Sequence, residues 1–195
     1  MEHIQRILPT KSKRESRREF ERLDSNGDQS ACRQEIAAYI ASNHEMWAML
    51  SVNLDKSEEY CQEIATRVAM ELASGKEGED AMNAEIDIHQ FHAFRKKYML
   101  DPHGQQEFFH RSVFATFDSD NNAHLDSDEL DQFLDTFYKS GSIFKGDVRL
   151  PPKEVLKNIL LSKMDADNDR GLCFEKMRGI ISGAAMHELE FVNKK

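Results

Sequence analysis

Several familiar classes are excluded by what this chain has little of. Three cysteines in 195 residues are too few, and odd in number, for a disulfide scaffold, which implies a reducing compartment. No apolar run approaches the roughly 20 residues that span a bilayer. The first residues, Met1-Glu2-His3, carry no signal-peptide core and no glycine for myristoylation, so a cytoplasmic protein is expected. Basic residues are in deficit: 26 Lys+Arg against 35 Asp+Glu leave a net charge of −9, the wrong sign for a nucleic-acid surface. There is no Ser/His/Asp signature, no phosphate-binding Gly-rich loop and no GxSxG, so an enzyme is not expected. Proline (4) and tryptophan (1) are scarce, while phenylalanine (12) is abundant. The balance predicts an all-α protein, with helices around apolar clusters and acid concentrated in particular segments.

Those segments repeat. In Asp118–Glu129, oxygen-bearing side chains fall at positions 1, 3, 5 and 9, an apolar residue at 8 and a glutamate at 12. This is the spacing of a helix–loop–helix calcium loop. Phe114 and Phe117 precede it, and Leu130, Phe133 and Leu134 follow it, at spacings that put each set on one helical face. A second copy is Asp24–Glu35, flanked by Phe20, Leu23, Ile36, Tyr39 and Ile40. A third is Asp165–Lys176, flanked by Leu161, Met164, Met177, Ile180 and Ile181. The weakest frame is Glu79–Gln90, with Ile86 at position 8 and Phe91 and Phe94 following. In chain order these are the first (24–35), second (79–90), third (118–129) and fourth (165–176) loops.

Ca²⁺ takes about six to eight oxygens, and such a loop supplies them from alternating side chains, one backbone carbonyl at position 7 and a bidentate glutamate at 12. The third loop offers Asp118, Asp120, Asn122, the carbonyl of His124, Asp126 and Glu129. The first offers Asp24, Asn26, Asp28, the carbonyl of Ser30, and Glu35, with Cys32 at position 9 where Ca²⁺ prefers oxygen. The fourth offers Asp165, Asp167, Asp169 and the carbonyl of Gly171, but Lys176 occupies position 12 and Glu175 falls one residue early. The second lacks a ligand at Ala81 and closes on neutral Gln90, so a structural role beside the first is expected. Two Ca²⁺ sites are expected, with a weak third at 165–176 as an alternative to a silent loop; Mg²⁺ is the natural competitor. Position 6, where the sharp turn wants positive φ, is Gln29, Ala84, Ala123 and Arg170. A left-handed non-glycine residue costs about 1–2 kcal/mol, roughly five- to thirty-fold in affinity.

The periodicity predicts helices near 14–23, 33–43, 57–73, 88–98, 106–117, 127–138, 153–164 and 174–187, with glycine-bearing connectors near 74–84 and 139–150. The stretch around Asp101-Pro102-His103-Gly104 divides the chain into an N-terminal pair of units, 1–100, and a C-terminal pair, 101–195.

With these residues in view, the chain resembles the EF-hand proteins of the four-hand, calmodulin-like superfamily over nearly its whole length. The resemblance implies two lobes, each of two paired hands joined by a short antiparallel strand contact. Active first and third hands beside a silent second one resemble the pattern of sarcoplasmic calcium-binding proteins and of calcium-regulated photoproteins. The photoproteins need an aromatic chromophore cavity, and the chain has the single tryptophan Trp47. Ile4-Gln5-Arg6-Ile7-Leu8-Pro9 and Ser16-Arg17-Arg18-Glu19-Phe20 are similar to the calflagins, flagellar calcium sensors. The function expected is a calcium sensor or adaptor that reorients its helices on binding Ca²⁺ and engages a protein target. The alternatives are a sarcoplasmic-type buffer and a calcium-stabilised axonemal or cytoskeletal component.

Other features have plainer readings. Residues 1–18 carry a net charge of +4. The basic stretch 11–18 reads as a solvated helix face balancing an acidic body, with membrane contact through acidic lipid as the alternative. His89 and His92 have a spacing that can hold Zn²⁺ but read as ordinary helix histidines. Cys32 and Cys173 both fall at loop position 9. The nine methionines suit either a core or an adaptable target groove.

Overall fold

The computed structural model describes residues 11–42, 51, 54, 56–140, 152–166 and 171–181. They are mostly helical, with two small antiparallel sheets. The elements run α1 (Lys11–Leu23), β1 (Ser30–Ala31), α2 (Arg33–Ser42), α3 (Glu58–Ser74), α4 (Gly78–Met82), β2 (Ile86–Asp87) and α5 (Ile88–Phe94). A π-type turn, Arg95–Met99, then leads to α6 (Pro102–Phe117), β3 (His124–Leu125), α7 (Ser127–Ser140), α8 (Lys153–Ala166), β4 (Leu172–Cys173) and α9 (Phe174–Ile181). The chain forms two compact units, Met1–His44 with Ala65–Phe108, and Glu45–Ile64 with Phe109–Lys195. The divisions fall inside α3 and inside α6.

In the first unit the apolar face of α1 buries Phe20 and Leu23, α2 buries Ile36 and Ile40, and α5 buries Phe91 and Phe94. Phe91 is the hub: its ring lies 5.6 Å from that of Phe20 and 5.1 Å, edge-on, from that of Tyr39. Such pairs add about 0.5–1.5 kcal/mol beyond the burial itself. β1 pairs antiparallel with β2, setting Ala31 opposite Ile86. Both residues are fully buried, and both are the position-8 residues of their loops. α1 is also tied to the π-type turn by polar groups. Arg95 Nε and Nη2 donate to the Glu19 carboxylate at 2.5 and 2.8 Å, and Arg95 is itself buried. A buried guanidinium requires such a bidentate acceptor.

In the second unit Phe114 and Phe117 of α6 meet Phe133, Phe137 and Phe174. Phe117 packs edge-on to Phe133 at 5.5 Å, Phe133 stacks on Phe137 at 5.8 Å, and Phe114 packs edge-on to Phe174 at 5.8 Å. Leu130, Leu134, Leu156, Leu160 and Met177 complete the core. β3 pairs with β4, setting Leu125 opposite Leu172, again position 8 against position 8. Gly171 is fixed by this approach. A Cβ there would lie 2.7 Å from the Leu125 carbonyl oxygen and 2.9 Å from His124 Cβ. On the outer face Lys153 joins Asp135 at 2.6 Å and Asp131 at 3.4 Å, and Lys157 also pairs with Asp131. Lys153 and Lys157 thus hold α8 to α7.

Two local expectations are corrected. The connector expected at 74–84 contains the helical turn α4. In α8 the fully packed leucine is Leu160, with Leu161 half-buried, so the inward face is turned by one residue. The expected flanks Met164, Ile180 and Ile181, like Trp47, lie outside the described side chains.

Candidate metal centre

The third loop begins where the helical bonding of α6 stops. The Asp118 N–H makes the last helical bond, to the Phe114 carbonyl at 3.1 Å. Asn121 and Ala123 then adopt left-handed φ of 58° and 65°, bending the chain back over its own acids. Asp118 Oδ1 and Oδ2 accept from the N–H groups of Asn122 and Ala123 at 3.0 and 3.2 Å. Asp120 accepts from the Asn122 N–H and side-chain amide at 3.1 and 2.8 Å. Asn122 Oδ1 accepts from the His124 N–H at 2.7 Å. His124 lies in β3. Asp126 caps α7: its Oδ1 accepts from the N–H groups of Asp128 and Glu129 at 2.8 and 2.9 Å, the usual work of an N-cap aspartate.

Glu129 spans the loop. Its Oε2 accepts from the Asp126 N–H at 3.1 Å, and its Oε1 accepts from the Ser119 N–H and hydroxyl at 2.7 and 2.6 Å. One carboxylate on the exiting helix therefore holds the start of the loop. Asp118 and Glu129 are only 6 % and 5 % exposed. Asp118, Asp120 and Glu129 each offer an oxygen, all within 4.8 Å of one another. Among the described residues this is the one such cluster of three metal-ligating side chains. Carboxylates this close repel in low dielectric, and the all-oxygen set suits a hard cation such as Ca²⁺ or Mg²⁺.

The first loop repeats the hydrogen-bond pattern, while its carboxylates Asp24, Asp28 and Glu35 do not form such a cluster. Asp24 accepts from the N–H groups of Gly27, Asp28 and Gln29 at 2.8, 3.1 and 2.9 Å. Asn26 Oδ1 accepts from the Asp28 N–H at 3.0 Å, and Asp28 Oδ1 accepts from the Ser30 N–H at 2.8 Å. Gly27 and Gln29 have φ of 74° and 69°, matching Asn121 and Ala123. Glu35 Oε1 accepts from the Ser25 N–H and hydroxyl, both at 2.8 Å, and Oε2 accepts from the Cys32 N–H at 3.0 Å. Burial acts to raise the Glu35 pKa, but the hydrogen bonds from Cys32 and Ser25 outweigh it and hold the carboxyl below its ordinary value. Asp28 is likewise lowered, by the N–H and hydroxyl of Ser30 and then by the Asn26 amide. Both groups are carboxylates at neutral pH, the form that ligates a cation. Cys32 stands where the third loop has its capping aspartate, and its thiol lies 3.1 Å from Gln34 Oε1.

The second frame keeps only its latter half. Glu79 and Ala81 lie in α4, and Ala84 does not take the left-handed φ of Gln29 and Ala123. From position 9 onward the pattern holds. Asp87 caps α5, and Gln90 Oε1 accepts from the Asp87 N–H at 3.0 Å. Gln90 thus makes the back-bond that Glu35 and Glu129 make, without their charge. In the fourth frame Gly171 is buried beside β3, while Asp167, Asp169 and the side chain of Asp165 lie outside the described residues. Glu175 is engaged elsewhere, 3.5 Å from Arg111 and 3.8 Å from Arg178. His92 does not present a metal site with His89. Its Nδ1 lies 2.9 Å from the buried Ser16 hydroxyl, and burial, then Lys13, Lys96, Arg95 and His89, depress its pKa.

Sequence spacing missed one pair at the candidate site, Ser25 and Ser119. Each is held by the closing glutamate through both its N–H and its hydroxyl. The signal was present: Asp-Ser opens both loops. Close beside Glu35, the first unit has an open groove of about 670 Å³, lined by Leu23, Ala38, Tyr39, Met99 and Leu100 and crossed by the Glu19–Arg95 pair. No protein-family model matches the chain, and no curated protein matches it significantly.

Proposed function

We propose that this is a calcium-binding protein of the four-EF-hand type that takes one Ca²⁺ in each of the loops 24–35 and 118–129 and acts as a sensor or adaptor for a protein target. The observation that carries the reading is the clasp made by the closing glutamate. Glu35 and Glu129 sit in the first turn of their exiting helices, and each joins the two ends of its loop through the same three hydrogen bonds, two from the serine at position 2 and one from the N–H at position 9. A cation at either loop supplies positive charge that offsets the clustered carboxylates. The chain's own residues do the rest: the aspartates orient their oxygens through the loop amides, and the glutamate links loop to helix. Any change in what Glu35 binds is therefore felt by α2, and any change at Glu129 by α7. The groove beside Glu35 supports a sensor over a plain buffer, because its lining residues Ala38 and Tyr39 belong to the helix that Glu35 would move. The second loop supports the first through the β1–β2 pairing, and the fourth supports the third through β3–β4.

Calorimetric titration with Ca²⁺ tests this directly. The wild type should take up two ions, and Glu35→Gln and Glu129→Gln should each lose one of them while leaving the other. Two variants that titrate as the wild type does would refute the assignment. A hydrophobic dye whose emission is unchanged by Ca²⁺ would remove the sensor half of the reading.

A further inference from the structure

The first loop carries a second chemistry. Asn26 is followed by Gly27, and both are exposed. Gly27 has φ +74°, and nothing lies within 4 Å of the place a Cβ would occupy. The left-handed turn selects glycine here, and glycine sets no side chain over its own amide nitrogen, the atom that can attack the Asn26 side-chain carbonyl carbon. We propose that Asn26 is a site of spontaneous deamidation that turns position 3 of the first loop into a carboxylate and so raises its affinity for a divalent cation. The modification stands on the Asn26–Gly27 chemistry alone. Its effect on affinity rests on the calcium reading above.

The reaction balances with water as the only co-reactant. The Gly27 amide nitrogen gives its proton to base and bonds to Asn26 Cγ. The Cγ–Nδ2 bond breaks and ammonia leaves, closing a five-membered succinimide. Water then opens the ring. Attack at Cγ leaves aspartate, and attack at the backbone carbonyl carbon leaves isoaspartate. The net change is loss of ammonia and gain of water.

Three hydrogen bonds restrain the reaction. The Gly27 N–H donates to Asp24 Oδ1 at 2.8 Å, the Asp28 N–H donates to Asn26 Oδ1 at 3.0 Å, and Asn26 Nδ2 donates to Asp28 Oδ2 at 2.7 Å. A cation that engages Asn26 Oδ1 adds a further restraint, so Ca²⁺ should protect the site. Once Asn26 is aspartate, the bond from Nδ2 to Asp28 is replaced by two facing carboxylates. The empty loop is then less stable, and the loop's carboxylate ligands rise from three (Asp24, Asp28, Glu35) to four, as in the third loop (Asp118, Asp120, Asp126, Glu129). Affinity for Ca²⁺ follows that charge count. The isoaspartate product instead adds a methylene to the backbone between positions 3 and 4, displacing the Asp24 and Asp28 bonds. The third loop is the control within the molecule. Its position 4 has the same left-handed φ but holds Asn121, whose side chain shields the nitrogen, and its position 3 is already Asp120.

The test ages the full-length protein at neutral to mildly alkaline pH in chelator and in Ca²⁺. Peptide mass spectrometry reads conversion at each asparagine, and enzymatic methyl-labelling reads isoaspartate. In chelator Asn26 should convert several-fold faster than Asn121 or Asn122, and Ca²⁺ should slow it. Gly27→Asn, which copies the third loop and is tolerated at positive φ, should slow it several-fold. An intact Asn26, or conversion unaffected by Gly27→Asn, overturns the proposal. Conversion at equal rates with and without Ca²⁺ leaves the modification standing and overturns its coupling to the ion. Asn26→Asp should bind Ca²⁺ at the first loop several-fold more tightly and melt earlier in chelator; unchanged or weaker binding overturns the gain in affinity. The Glu35→Gln titration judges the calcium reading separately.

Discussion

At positions 3 and 5 the two candidate cation loops carry the same pair of groups in opposite order, Asn26 and Asp28 in the first, Asp120 and Asn122 in the third. In both, the amide donates to the carboxylate, at 2.7 and 2.8 Å. The loop thus tolerates exchange of the two groups because the neutral–anionic pair relieves repulsion either way round. The loops part at position 9. Asp126 adds a charge and caps α7 with two hydrogen bonds, whereas Cys32 adds neither and its thiol turns to Gln34. A scaffold of backbone hydrogen bonds can therefore stay constant while its charge, and with it its pull on a cation, is set one side chain at a time.

The comparison can be broken most severely through the cores. Phe91 and Phe133 are each buried to within 1 % exposure, and truncation of either to alanine should cost about 3–5 kcal/mol. Chemical denaturation reads the loss. Phe91→Ala should weaken the first loop's ion binding and Phe133→Ala the third's; the opposite pairing would show that each core does not support its own loop. A smaller effect is expected from exchanging the position-9 residues. Cys32→Asp should restore the cap, worth about 1 kcal/mol, and bring first-loop affinity up toward the third, while Asp126→Cys should do the reverse. Affinities that do not converge would locate the difference elsewhere in the loops. The smallest change is at position 6. Gln29→Gly and Ala123→Gly relieve left-handed φ of 69° and 65°, and each should add about 0.5 kcal/mol of stability, since relief of strain exceeds the added freedom of the unfolded chain. Equal gains in the two loops, read by thermal melts in chelator, are expected from their equal angles.

Much of this arrangement was legible in advance. The flanking residues Phe20, Leu23, Ile36, Ile40, Phe114, Phe117, Leu130, Phe133 and Leu134 are all buried, because a 3.6-residue period leaves an apolar stripe no other place to go. The position-8 residues meet across the two short sheets, as a repeated frame requires. The second frame was legible only from position 8 onward. Its first half has helix-compatible Glu79, Asp80 and Ala81 and no aspartate at position 1 to gather the loop amides, so the backbone satisfied itself as α4 instead. The Glu19–Arg95 pair was invisible because the two residues are 76 apart in sequence and a charge pattern has no period that links them.

The sequence by itself determined what local physics controls: the loop-flanking helices, the apolar face that each flank buries, and which oxygens alternate along the first and third loops. Those follow from spacing within about a dozen residues. Tertiary structure alone decided that Glu129 reaches back to Ser119 and Glu35 to Ser25. It also decided that Asp118, Asp120 and Glu129 bring their oxygens within 4.8 Å of one another, and that Gly171 must be glycine against Leu125. These depend on how far apart the ends of a loop are held, and that distance is set by the packing of the helices on either side.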